Sequence, residues 1–325
     1  MAEIPTVATG SAPDRTRTAA PRPSQPVGRL GRLGRLGHAG ASGAEVADVL
    51  SPRGLDLGRP AGPDWADCAF HSSRQGVERS LERVRAAHDA TDEVAASYLA
   101  NWYAAGVVGP AIASYVLLRR VPALDATGMS MHWLDSGWFD RTALHRHDVT
   151  VLSGDPLARG LTAGTPGSVP TAAPGTEPRE TVRVVPDGDA LRDVLVEAIL
   201  DHLGPFVGEL RARVRLGLPA LWGAVAGQCA RAFLLTERAT GDPATGRDEA
   251  DAFFERASPT LRARPRWHEF VHRGRPYVGM RCGSCCLAHR LGDEHCTTCP
   301  FTDDSERERR MRAWIDTQGH GGLAV

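Results

Sequence analysis

The sequence predicts a helix-rich α+β protein: a helical body, a small sheet and a cysteine-rich C-terminal module. Three observations carry this expectation. Apolar residues recur at helical spacing through several long segments. A few short runs alternate as half-buried strands do. Five of the seven cysteines fall between positions 282 and 299.

Composition sets the outer limits. A chain of 325 residues can bury one large core or two modest ones. Its 38 basic and 39 acidic residues nearly balance, which argues against a bulk electrostatic grip on nucleic acid or membrane. Every basic residue is an arginine, so P-loop, Schiff-base and pyridoxal-phosphate lysine chemistry is excluded. The N-terminus shows no apolar signal region, which predicts a cytoplasmic protein. In that reducing compartment, clustered cysteines hold metal or do redox work more often than they form structural disulfides.

Residues 1–60 are rich in Ala, Gly, Pro, Ser and Arg, with Gly-Arg-Leu repeated through 28–36, and read as a disordered tail. The body is expected over 61–265, with structure beginning near Trp65, and the cysteine module over 266–325. Val77, Leu81 and Val84 mark a helix within Gly76–His88. Thr91 caps the next helix, with Asp92 and Glu93 in its first turn. From Val94 to Leu118 there is no charge, a stretch long enough to span a bilayer. Its alanines and the Gly109-Pro110 step favour two packed core helices and no stable membrane insertion.

Met129, Met131 and Trp133 predict a strand that stops at Asp135-Ser136-Gly137, and Val149–Leu152 another. Residues 153–180 read as a mobile loop and Thr181–Val185 as a short strand. A helix then runs from Asp187 through Leu203, followed by a separate one around Phe206–Leu216. Leu221, Trp222, Val225, Cys229 and Phe233 give the clearest buried helix, within 218–236, and Asp248–Arg256 a shorter one. Residues 269–272 and 276–280 flank Arg273-Gly274-Arg275 as a hairpin leading into the cysteines. Thr302 or Asp303 caps a terminal helix through Met311 and Trp314.

Two ligand sets can be drawn from the five clustered cysteines. Cys282, Cys285, Cys296 and Cys299 form two Cys-x-x-Cys pairs, the pattern of a closed tetrahedral zinc site. Cys285, Cys286, Cys296 and Cys299 contain a vicinal pair, awkward for one ion but acceptable to a larger two-iron cluster. Spacing alone leaves both open. Cys68 and Cys229 stand apart and read as small buried hydrophobes. His289 and His295 read as solvent-facing neighbours. Arg211, Arg213 and Arg215 read as a solvated basic face, and Trp133, Trp138 and Trp222 as core.

Ser284-Cys285-Cys286-Leu287, Arg290-Leu291 and Cys296-x-x-Cys299 together resemble the C-terminal signature of FhuF-like ferric-siderophore reductases. The likeness covers about the last sixty residues, with a looser one at Arg213–Trp222. There are two departures: the spacer between Cys286 and Cys296 is nine residues, one short, and Cys282 is an added fifth thiol that stays an alternative ligand. The resemblance implies a [2Fe–2S] cluster on Cys285, Cys286, Cys296 and Cys299. It implies transfer of one electron to a ferric siderophore, supplied by an external ferredoxin- or flavin-type donor. The competing expectations are a non-enzymatic protein with a structural zinc site and a thiol sensor that exchanges Cys282 with Cys286.

Overall fold

The centre of the molecule is a 27-residue helix with no charge beyond its first turn. A computed structural model of the chain describes residues 55–146, 148–162 and 181–318. In chain order these form β1 (Leu55–Leu57), β2 (Trp65–Asp67), α1 (Cys68–His71), α2 (Arg74–His88), α3 (Asp92–Leu118) and β3 (Arg120–Pro122). Next come β4 (Met129–Trp133), β5 (Phe139–Leu144), β6 (Val149–Leu152), α4 (Pro156–Thr162), β7 (Val182–Val185), α5 (Gly188–Arg213) and α6 (Leu218–Thr240). The C-terminal part adds α7 (Arg247–Arg256), β8 (Arg266–His272), β9 (Arg275–Arg281) and α8 (Asp304–Gln318). The architecture is helix-rich α+β, with the sequence-predicted cysteine-rich region at its C-terminal end.

Helix α3 begins where Thr91 accepts from the Val94 amide and ends at Arg119, whose φ of 55° breaks the helical path. Val94, Leu99, Tyr103, Val107, Ile112 and Tyr115, spread around the helix, are all fully buried. It is one continuous helix, not the two expected from Gly109-Pro110. Interior proline costs about 3 kcal/mol, whereas each large apolar side chain buried returns roughly 2 kcal/mol, so packing on both sides of Pro110 wins. Pro205 is overridden in the same way inside α5, which runs unbroken to Arg213 where two helices were expected. By length and mean hydropathy (1.2 each) α3 and α6 are apolar enough to cross a bilayer, yet 61% of each apolar stretch is buried inside the protein.

Three small sheets surround this core. The first has the order β1-β5-β4-β2 and rests on α3 through Gly106, whose carbonyl accepts from Thr142 at 3.1 Å. The second, β3-β6-β7, is antiparallel and then parallel. β1 lies inside the stretch expected to be tail: Leu55–Leu57 pairs in parallel with Thr142–Leu144, so the tail reading fails from Leu55 onward. Residues 1–54 lie outside the described residues. The 153–180 loop expectation also fails at its start, because Asp155 accepts from the Leu157 amide and α4 comes directly after. Arg120 grips Asp155 with two hydrogen bonds of 2.8 and 3.0 Å. Residues 163–180 are outside the described residues.

The third sheet is the predicted hairpin. Arg273 and Gly274 both have positive φ (50° and 74°), so the turn is the two-residue type that matches strand twist. Its β8 face and α8 bury Phe270, Met311 and Ile315 as a small second core. Trp267, Met280 and Cys282 pack against the main core and tie the two together.

His71 is fully buried against Phe70, Tyr103, Trp133 and Phe139, and neither ring nitrogen has a hydrogen-bond partner. Burial pushes its pKa down to about 3, with Asp67 pulling weakly the other way. The folded state therefore holds His71 neutral while the unfolded chain takes a proton near pH 6.5. Stability from this group is complete above that pH and declines as pH falls toward 3, by up to about 1.4 kcal/mol per pH unit. Urea midpoints at about pH 7.5 and pH 5 should show that decline, and His71→Phe should remove much of it. An unchanged slope in the variant refutes the assignment.

Candidate metal centre

Strand β9 delivers the chain straight into the first cysteine segment, and short-range backbone contacts fix its path from there. The Cys282 amide donates to the Thr298 carbonyl at 2.8 Å, which joins the two cysteine segments. Gly283 presses on the backbone of residues 263 and 264; a Cβ there would stand 2.0 Å from the Ala263 oxygen. Ser284 lies against α6, where a Cβ on Gly223 would meet its Oγ at 2.5 Å. Leu287 has a φ of 63°, an unusual left-handed position for a branched residue, and its amide turns back onto the Cys285 sulfur at 3.3 Å. That N–H···S contact offsets the backbone cost.

The second segment is held by its carbonyls. Within it, the Cys299 amide donates to the Cys296 carbonyl at 2.9 Å, which closes the Cys-x-x-Cys turn. Arg310 of α8 donates to the His295 carbonyl at 2.6 Å, and Arg281 to the Pro300 carbonyl at 2.7 Å. Arg307 donates to the carbonyls of Thr297, Cys299 (3.0 Å) and Thr302 (2.8 Å). Helix α8 begins at Asp304, with the Arg307 amide donating to the Asp303 carbonyl.

These constraints bring the four thiols into one small region. The Cys285 and Cys299 sulfurs stand 3.7 Å apart. Two thiolates on one tetrahedral metal, with bonds of about 2.3 Å, stand roughly 3.8 Å apart. The neighbouring Cys286 thiol holds Cys296 well below the ordinary thiol range, at about 5, and Cys296 in turn raises Cys286. Burial pushes the Cys299 thiol up to about 12, so metal binding there must displace a proton. Among the described residues, no three His, Cys, Asp or Glu side chains converge as a site for one ion.

Cys282 is placed apart from these pairs. It packs against the core beside Gly227 of α6, and burial pushes its thiol up to about 11 against the pull of the Thr298 hydroxyl. Cys68 and Cys229 are fully buried, as the sequence implies. His289 and His295, read from the sequence as solvent-facing, are half-buried. Their rings stand 4.7 Å apart, and His289 Nδ1 lies 3.6 Å from the Cys285 sulfur.

Of the other residues weighed from sequence, Arg213 is taken up by Glu209 and Glu78, Trp133 is buried, and Trp138 and Trp222 pack partly buried against the core. Sequence reasoning missed Arg307 and Arg310. The available signal was a run of arginines in the first half of a helix, where the macrodipole disfavours cations. No family model and no curated protein matches the chain.

The pairing predicts an order of importance. Cys282→Ser should keep the metal content of the purified protein, whereas Cys286→Ser should lose at least half of it. Metal analysis of the two variants side by side checks this, and the reverse order would make Cys282 the ligand. Gly283→Ala should lower the unfolding temperature, since nothing but backbone stands in the way of the added methyl.

Proposed function

We propose that the chain is a [2Fe–2S] protein of the ferric-siderophore reductase type. The observation that carries this reading is the close approach of the Cys285 and Cys299 sulfurs, with Cys286 and Cys296 beside them in the same small region. A two-iron cluster takes two thiolates at each iron, while a structural zinc site needs four around one ion. The C-terminal motif resembles the FhuF-like family at these same four positions. When bound, such a cluster takes up and gives back one electron at a time.

The chemistry asked of the protein is small. Ferric siderophores hold Fe(III) with hard oxygen donors that suit Fe(II) far less well. One electron from a ferredoxin- or flavin-type donor leaves the iron as Fe(II), and the chelate releases it. No acid, base or nucleophile is required of the chain. Its residues have to hold the centre, bring it near the surface and shield it. Cys296 is the most exposed of the four thiols, and Phe301, close by, is 67% exposed beside His295. Cys285 and Cys299 lie deeper. An exposed residue at one edge and a buried one at the other support a centre that a partner could approach from one side. The thiol-sensor alternative needs Cys282 to exchange with Cys286, and Cys282, packed beside Gly227 with its thiol pushed up to about 11 by burial, is a poor attacking group.

Protein purified without oxygen is expected to be red-brown, with about two irons and two sulfides per chain and bands that bleach on dithionite. The reduced protein should pass one electron to a ferric hydroxamate-type siderophore, read as Fe(II) captured by a coloured chelator. Stoichiometric zinc without sulfide sinks the cluster. A reduced cluster that is oxidised by other acceptors but by none of several ferric siderophores sinks the reductase assignment alone.

A further inference from the structure

Arg307 is the largest fully buried side chain among the described residues. Its setting is electrostatically unusual. It sits in the first turn of α8, where a helix favours negative charge. Its guanidinium donates to three neutral carbonyls, those of Thr297, Cys299 and Thr302. The one carboxylate it reaches is Asp304, at 3.3 Å, and that group is 59% exposed. Buried charges are ordinarily matched by a buried opposite charge. Here the carbonyls satisfy the N–H groups, and the single ion pair, to an exposed carboxylate, compensates the buried positive charge only in part.

The charge lies beneath the second cysteine segment. Because Nη2 is 3.0 Å from the Cys299 oxygen, covalent geometry alone keeps it within about 8 Å of the Cys299 sulfur. Cys282, at the start of the first segment, also feels its field. Four thiolates around a two-iron centre carry net negative charge, and reduction adds one more. We propose that Arg307 is the buried counter-charge of this centre: it clamps the closing cysteine loop by its carbonyls and raises the centre's reduction potential by its charge. This rests on reading the centre as a [2Fe–2S] cluster. The role is that of a positioning and tuning residue, touching no substrate.

Electrostatics sets the direction and the size. A unit charge about 8 Å away, at an effective dielectric of about 20, shifts a one-electron equilibrium by more than tenfold. Tenfold corresponds to about 59 mV for one electron. Arg307→Gln should therefore make the bound centre at least tenfold harder to reduce. Arg307→Lys keeps the charge but loses the fork that spans three carbonyls. It should stay within threefold of the parent protein.

The experiment is a redox titration of the visible spectrum of full-length protein and both variants, with iron content measured alongside. A potential that falls in Arg307→Gln and holds in Arg307→Lys supports the proposal. Equal falls in both variants make the role purely structural and overturn it, as does no change in either. If Arg307→Gln does not retain iron, Arg307→Lys decides alone: within threefold supports, a larger fall overturns. Zinc in place of iron in the parent protein overturns the inference together with the cluster reading beneath it. Iron–sulfur protein with unmoved potentials overturns the inference only.

Discussion

Helix α6 is a wall with two sides, and the position of the cysteines depends on it. One side carries Leu221, Val225, Cys229 and Phe233 into the core shared with α3. The other presents Gly223 and Gly227 to Ser284 and Cys282. At Gly223 there is no room for a side chain: the nearest side-chain atoms would be 2.5 and 2.6 Å from a Cβ. The cysteine loop thus rests directly on helix backbone, and Ser284 reaches the Ala220 carbonyl at 3.4 Å. Main-core packing sets where α6 lies, and α6 in turn sets where the first thiol segment lies.

Beyond that contact, the cysteine segments have little apolar burial to hold them. Polar anchoring takes over. Hydrogen bonds from charged donors contribute roughly 1.5–3 kcal/mol each, against a cost of about 1–2 kcal/mol for the left-handed Leu287. The carbonyl bonds from Arg281, Arg307 and Arg310 therefore outweigh the local strain. An all-arginine chain has a structural consequence here. A planar guanidinium can span three carbonyls from a fixed fork, which a single ammonium on a flexible stem does poorly.

Much of this was legible in the residues. Thr91 as a cap, Met129–Trp133 as a strand, the Arg273-Gly274 turn and the terminal helix all come from local chemistry. The errors have one physical cause. Pro110 and Pro205 are strong local breakers, and what overrides them is burial against elements distant in sequence. β1 is three residues that acquire meaning only from their pairing with β5, and α4 depends on Asp155 being gripped from β3. At the candidate site, the cysteines announce themselves by clustering. Arg307 does not, because its three carbonyl partners are assembled only when α8 docks beneath the loop.

The vicinal cysteines gain a physical rationale from this geometry. Adjacent side chains diverge, which is a fault if both must reach one ion. Here Cys285 turns toward Cys299, their sulfurs 3.7 Å apart. Leu287 sharpens the divergence by folding its amide back on Cys285 alone. Cys282 would supply a fourth thiol to a single ion only by leaving its packing beside Gly227 and exposing apolar surface.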